Sequence, residues 1–298
     1  MRLEWEKSMA RGLDHIVIVA HDLDALSSFY RSLGFKLGAR NTHPWLTQNH
    51  IVQFPGCFLE LVSTADGFVK PDPSAPEAGF ALGVANYLDR REGAAMLVLE
   101  SPDIKADHAE FKSRGIGKGD VFRFGRKGKR PDGSEVELAF SVSFTDGSKT
   151  IPGQGFFVCE QHFPDAFWNP AFQQHENAVT GIDAIVVQAP QPDDCMDFLL
   201  AFSGAATSRP ITGGRAIETG RGRIEVMTEA GMRSIVGNGA PDVGPGPAFA
   251  AVRFASKDLN VTRAALEKGK TPFTELNGRL VVDSEAAHGV ALVFEAVQ

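Results

Sequence analysis

The sequence predicts an α+β chain built from four tandem βαβββ modules in two paired units. Three observations carry this. The segment GLDHIVIVA at 12–20 returns as GIDAIVVQA at 181–189, and the same offset brings Phe29 onto Phe198. A second repeat relates AMLVLESPD at 95–103 to AAVRFASKD at 250–258. Finally, each repeated strand leads into a helical pattern and then into two or three short β-rich runs, the order of a mixed sheet covered on one face by helices.

In chain order, residues 12–20 are rich in β-branched side chains, so they read as a strand. Asp22 to Leu33 follows as a helix, with Leu26, Phe29, Tyr30 and Leu33 at helical spacing and Gly34 as its stop. Strands are expected at Lys36–Thr42, His50–Phe54 and Cys57–Ser63. The second module reads as a strand over 95–100, a helix from Ile104 to Arg114 closed by Gly115, and strands at Val121–Gly125, Val136–Phe144 and Gly155–His162. In the third module, short strands are expected at Arg215–Glu218 and Arg223–Thr228. The fourth has a helix from Leu259 to Lys268 closed by Gly269, then strands at Arg279–Asp283 and Val290–Ala296. The Pro-rich, aperiodic stretch 164–180 divides a first unit, 1–163 (modules about 11–65 and 93–163), from a second, 181–298. Residues 237–247 read as a long Gly/Pro-rich loop.

Composition excludes several classes. The 298 residues are 43% hydrophobic and 22% charged, with a net charge of −7. A mildly acidic chain is a poor match for nucleic acid, whose phosphates need clustered Lys and Arg. The one dense basic run, RFGRKGKR at 123–130, precedes the turn signal Pro131-Asp132-Gly133 and reads as a charged hairpin tip, with gating of an anionic small substrate as a second role. Cys57, Cys159 and Cys195 are far apart and form no CxxC pair, which fits a reducing compartment and a cytoplasmic location. No run approaches the ~20 apolar residues of a membrane helix, and residues 1–7 lack an apolar signal core. The 22 phenylalanines against 2 tyrosines point first to core packing and second to apolar pocket walls.

The first strand with His15, the helix ending FYRSLGF at 29–35, and FLELV at 58–62 together resemble the vicinal oxygen chelate superfamily, and most closely its glyoxalase-like domains. RPDG at 130–133, FFVCEQHFP at 156–164 and HEN at 175–177 resemble features of the same group. The resemblance runs from about residue 11 to the end, and is most specific in the first module. It implies cupped mixed sheets, with helices outside, around a small-molecule cavity. Modules of this kind pair either within one chain or across a homodimer.

Metal ligands in that superfamily come from first and last strands, which here singles out His15 and Glu60. Alternation places Phe58, Glu60 and Val62 on one face. A carboxylate on an apolar strand requires a partner: a metal, an Arg or a His. Met96 stands where the paired module often has a ligand, so the third ligand is sought on the last strand of that module, at His162. Two imidazoles and one carboxylate form an open-faced set for Fe, Mn, Zn, Ni or Mg. Glu160 is the candidate general base. In the second unit Ala184 replaces His15 while Glu225 matches Glu60, so no metal is expected there. His43 and His21 read as solvated loop residues, His50 as ordinary, and His175 as a hydrogen-bonding link between the halves.

The resulting expectation is a divalent-metal-dependent enzyme of isomerase, lyase or dioxygenase type acting on a small, partly hydrophobic substrate. The competing expectation is a metal-free protein that sequesters a small molecule, as bleomycin-resistance members of the superfamily do. A third is an oligomerising scaffold with a vestigial pocket.

Overall fold

The computed structural model describes residues 10–129 and 135–297; the charged stretch 1–7 and the turn expected at 131–133 lie outside them. The first module comprises β1 (Leu13–Val19), α1 (Leu23–Ser32), β2 (Asn41–Thr42), β3 (Thr47–Phe54) and β4 (Cys57–Thr64), and α2 (Ala78–Leu88) follows it. The second comprises β5 (Gly93–Glu100), α3 (Ile104–Ser113), β6 (Gly117–Lys129), β7 (Glu135–Thr145) and β8 (Gly155–Gln161). After the short helix α4 (Pro164–Phe167) come β9 (Val179–Gln188), α5 (Met196–Ser203), β10 (Arg209–Ile211), β11 (Gly214–Glu218), β12 (Arg223–Met227) and α6 (Glu229–Val236). The last module is β13 (Ala248–Ser256), α7 (Leu259–Lys268), β14 (Thr274–Leu276), β15 (Arg279–Val282) and β16 (Ala291–Ala296).

Two eight-stranded mixed sheets result, ordered β2-β3-β4-β1-β5-β8-β7-β6 and β10-β11-β12-β9-β13-β16-β15-β14. One of them curls into a half-barrel. β1 pairs parallel with β4 and antiparallel with β5, and β9 does the same with β12 and β13. Modules therefore pair through their first strands within one chain.

The repeated aspartates have a local cause. Asp22, Asp103 and Asp258 each adopt extended backbone and accept two main-chain N–H bonds from the first turn of α1, α3 and α7. They are the N-caps that end a strand and start a helix. Gly34 and Gly115 leave their helices at positive φ, but Gly269 does not. Its backbone is ordinary, and the positive φ falls on Lys270. A side chain at Gly269 would come within 1.9 Å of the Ser32 carbonyl oxygen. Close approach of α7 to α1, rather than a turn, requires glycine there.

Strand alternation sorts the side chains into layers. Ile16, Ile18, Leu59, Leu61, Leu97 and Leu99 join a core shared with Ile185, Val187, Val252 and Phe254 of the second sheet. Tyr30 of α1, Phe111 of α3, Phe202 of α5 and Leu266 of α7 fill the same layer. These four helices thus lie outside each cup, on the faces through which the units meet. Val17, Val19, Val62, Met96 and Val98 point the other way, into the first cup, where Phe80, Val84 and Tyr87 of α2 cover them. Sequence periodicity misses α2 because AGFALGVANYL is apolar nearly all round and has no polar stripe. Of the strand expected at Lys36–Thr42, only Asn41–Thr42 pairs. Among the described residues no helix is long and apolar enough to cross a membrane.

His175 bolts the segment between the units to the first sheet. Its Nδ1 accepts from the Lys36 N–H (3.0 Å), its Nε2–H donates to the Gln53 carbonyl (2.9 Å), and it packs edge-on against Phe35 and Phe54. Burial, with the nearby Lys36 charge, lowers its pKa to about 4 despite the Gln53 bond. A depressed histidine contributes stability that is full above its unfolded pKa near 6.5 and is lost as pH falls toward 4. Of order 2 kcal/mol is at stake. Denaturant unfolding at pH 7 and pH 4.5 should show this loss in wild type, and much less of it in His175→Gln.

Candidate functional site in the first cup

The first cup holds a narrow cavity of about 60 Å³. Its floor carries the polar groups. β1 supplies His15, β4 supplies Glu60, β3 supplies Asn49, and the turn before β3 supplies His43. The walls are aromatic: Phe58 and Phe157 flank His15, Trp45 stacks on His43, and Phe122 and Phe124 on β6 close the far side. Phe167 of α4, packed on Phe58 and Phe140, caps the mouth. The Gln53 side chain holds that cap through the Phe167 carbonyl (2.8 Å) and the Asn169 N–H (3.0 Å).

His15 and Glu60 are each 5% exposed and lie side by side, with His15 Nε2 3.7 Å from Glu60 Oε2. The β1–β5 ladder slips between Leu13 and His15, an irregularity of the kind that re-aims side chains. There Asp14 Oδ1 takes a 2.5 Å hydrogen bond from His15 Nδ1, while Asp14 Oδ2 accepts from Gln161 Nε2 (3.0 Å). With Nδ1 engaged by Asp14, Nε2 is the ring nitrogen turned toward Glu60.

His43 completes the floor. Its Nε2 lies 3.7 Å from Glu60 Oε1, and its Nδ1 bonds the Thr47 hydroxyl (2.8 Å). Burial lowers its pKa; the Glu60 charge opposes this and the Arg126 charge adds to it. Neutral imidazole, the ligating form, is therefore favoured. Asn49 Nδ2 donates to Glu60 Oε1 at 2.5 Å. Sequence reading placed His43 in solvent because its loop has no periodicity; the β2–β3 turn folds it over the cup.

The structure does not bring His162 and Glu160 to this floor. On β8, Phe157 and Cys159 face the cavity, whereas Glu160 and His162 face α3. Glu160 Oε2 accepts from the Ile104 N–H (3.0 Å) at the start of α3, and His162 Nε2 bonds the Ser141 hydroxyl (2.8 Å). The strand's two-residue period makes this unavoidable once Phe157 faces inward. Cys159 is a poor nucleophile: burial, with the charges of Asp14, Glu60 and Glu160, raises its pKa well above the usual thiol value. His50 bonds the Gly38 carbonyl, an ordinary structural contact.

A family model described as a glyoxalase-like domain matches residues 13–201, more than half of the chain. The chain belongs to this family. Solved structures agree in fold. A hypothetical protein from Staphylococcus aureus is 13% identical, with 96% of this chain and 99% of that one aligned at a TM-score of 0.68. A mutant 4-hydroxymandelate synthase from Streptomyces coelicolor is 12% identical, covering 97% and 92% at 0.59. A xylose isomerase-like TIM barrel/4-hydroxyphenylpyruvate dioxygenase fusion protein is 14% identical, covering 90% of this chain and 40% of its own at 0.54. These are vicinal oxygen chelate folds, and at such identities the likeness is one of architecture. No curated protein matches the chain.

The second cup of this glyoxalase-like protein takes a different course. Ala184 stands on β9 and Glu225 on β12. Glu225 binds Arg253 Nη1 through both oxygens (2.6 and 2.5 Å) and Arg223 Nε through Oε1 (2.7 Å). Arg253 also forks onto Glu295 (2.6 and 2.8 Å). Met232, Ile235 and Val236 of α6 fill the adjoining apolar space. A guanidinium satisfies the buried carboxylate there, and among the described residues no imidazole faces it.

Proposed function

We propose that the first cup is the site of a divalent-metal-dependent enzyme of isomerase, lyase or dioxygenase type acting on a small, partly hydrophobic substrate. One observation carries the reading: two imidazole Nε2 atoms each stand 3.7 Å from a different oxygen of one buried carboxylate, on the floor of an aromatic-walled cavity. Among the described residues no three His, Cys, Asp or Glu side chains are yet drawn together tightly enough to grip an ion. With bonds of ~2.0–2.2 Å, neighbouring donors on one ion stand ~3.0–3.5 Å apart, so the two 3.7 Å separations would have to close by a few tenths of an ångström on binding.

His15, His43 and Glu60 would hold the ion, which would act there as a Lewis acid and template for neighbouring substrate oxygens. Asp14 fixes the His15 ring, as outer carboxylates do for ligating histidines. The phenylalanine walls and Phe167 exclude water and orient an apolar substrate. Glu160, on the face toward α3, does not reach this site as a base.

Metal analysis of protein purified without chelator, together with thermal unfolding in added Fe, Mn, Zn, Ni or Mg, tests the reading. About stoichiometric metal, or a clear rise in the unfolding midpoint with one ion, is expected. No metal and no rise would leave the second reading, a metal-free binding protein. Met96 and Val98, which point into the same cup, and Cys159, which lines the cavity, favour that alternative because none suits a hard ion.

A further inference from the structure

Arg126 on β6 has a position that the metal reading does not use. It lines the narrow inner cavity and also a wider outer cleft of about 710 Å³ between the β6–β7 ribbon, β3 and α4. Ile51 and Phe167 are the other residues common to both spaces, so these three form the passage between them. Every other passage wall is apolar, and the guanidinium is the cation beside it.

Among the described residues its charge is not consumed by a partner. Among the described residues no carboxylate lies within ion-pair distance of Arg126, and Glu60 acts on it only at longer range. Glu60 is already engaged by Asn49 and faced by both imidazoles. Of the other charges lining the cleft, Lys127 pairs with Glu135 (3.3 Å), and Asp165 of α4 is exposed. A guanidinium held in an apolar throat loses hydration without gaining a counter-ion. That is an unfavourable arrangement unless a ligand supplies the anion.

We infer that this site takes small aromatic carboxylates, with the carboxylate forked on Arg126 at the passage and the ring held against Phe167, Trp168 and Phe172 of the cleft. A planar guanidinium matches a carboxylate bidentately, and aromatic walls match a ring. The inner cavity of about 60 Å³ is too small for a ring as it stands. The ring therefore lies in the passage and cleft, and only a small oxygen-bearing group reaches the floor. The inference rests on the proposed function only in taking this cavity as the ligand site; it requires no ion.

The test is binding of benzoate, phenylacetate and phenylpyruvate, each beside its neutral amide. Trp fluorescence reports it, since Trp45 lines the inner cavity and Trp168 the cleft. Metal-depleted and metal-supplemented full-length protein are both titrated, in wild type, Arg126→Gln and Arg126→Lys, with unfolding midpoints confirming that the variants fold. At least one acid should bind wild type tenfold or more tightly than its amide, in both metal conditions. Arg126→Gln should erase that preference while leaving amide binding within about twofold, and Arg126→Lys should restore part of it. Equal affinity for acid and amide in wild type, or a preference that survives in Arg126→Gln, overturns the inference. If the preference appears only with added metal, the carboxylate is bound by the ion and the Arg126 assignment fails, while the metal reading stands.

Discussion

Replacing Glu60 or His43 by alanine should weaken divalent-ion binding by about 100-fold or more, whereas His162→Ala should leave it unchanged. The first two residues place oxygen and nitrogen donors on the floor of the first cup, 3.7 Å apart. The third hydrogen-bonds Ser141 on the opposite face of the sheet. His15→Ala belongs with the first pair. Asp14→Asn should cost less, about 10–100-fold, because it orients a ligand rather than donating to the ion. Isothermal titration with the ion that stabilises wild type measures all five variants. Loss of affinity in His162→Ala with none in His43→Ala would reject the trio. Each variant's unfolding midpoint without metal separates lost ligation from lost folding.

The second large effect is one of stability, in the second unit. Arg253→Met should destabilise the protein by about 3–5 kcal/mol, because it strands charges that the guanidinium now satisfies. Glu225 is 2% exposed and, among the described residues, would keep only Arg223 as a cationic partner, and Glu295 only Arg279. The triple replacement Arg253→Met, Glu225→Gln, Glu295→Gln should recover a large part of the loss, since removing both signs of a buried cluster avoids the unpaired charge. Denaturant unfolding of the three proteins checks this, and a loss below 1 kcal/mol in Arg253→Met would sink it. The cluster also predicts acid sensitivity. Burial pushes the Glu295 carboxyl up, but hydrogen bonding and charge from Arg253, helped by Arg279, hold it net below its usual 4.5. Its contribution is therefore present above 4.5 and is lost as pH falls through the lower folded value.

Glu60 and Glu225 show how one backbone position acquires two fates. Both sit on the last strand of a first-type module and are buried. In the first cup two imidazoles face the carboxylate at 3.7 Å, beyond hydrogen-bond distance. In the second a guanidinium closes on it at hydrogen-bond distance. Ala184 announced the missing imidazole in the sequence. Arg253 went unnoticed because it lies in an otherwise apolar strand, and only the β9–β13 pairing sets it against Glu225.

Local physics determined what the sequence alone established. Asp22, Asp103 and Asp258 had to cap helices, β-branched runs had to form strands, and the period of two had to set Phe58 and Glu60 on one face. Those rules involve neighbours a few residues apart, so the repeated modules and two of the floor residues were legible. His43, Arg126 and Phe167 were not. They lie on an aperiodic turn, a basic edge strand and a Pro-flanked connector, and they meet only because β3, β6 and α4 converge on one mouth. The face chosen by β8 was equally beyond sequence. Alternation said that Glu160 and His162 point the same way, but only packing against α3 decided which way.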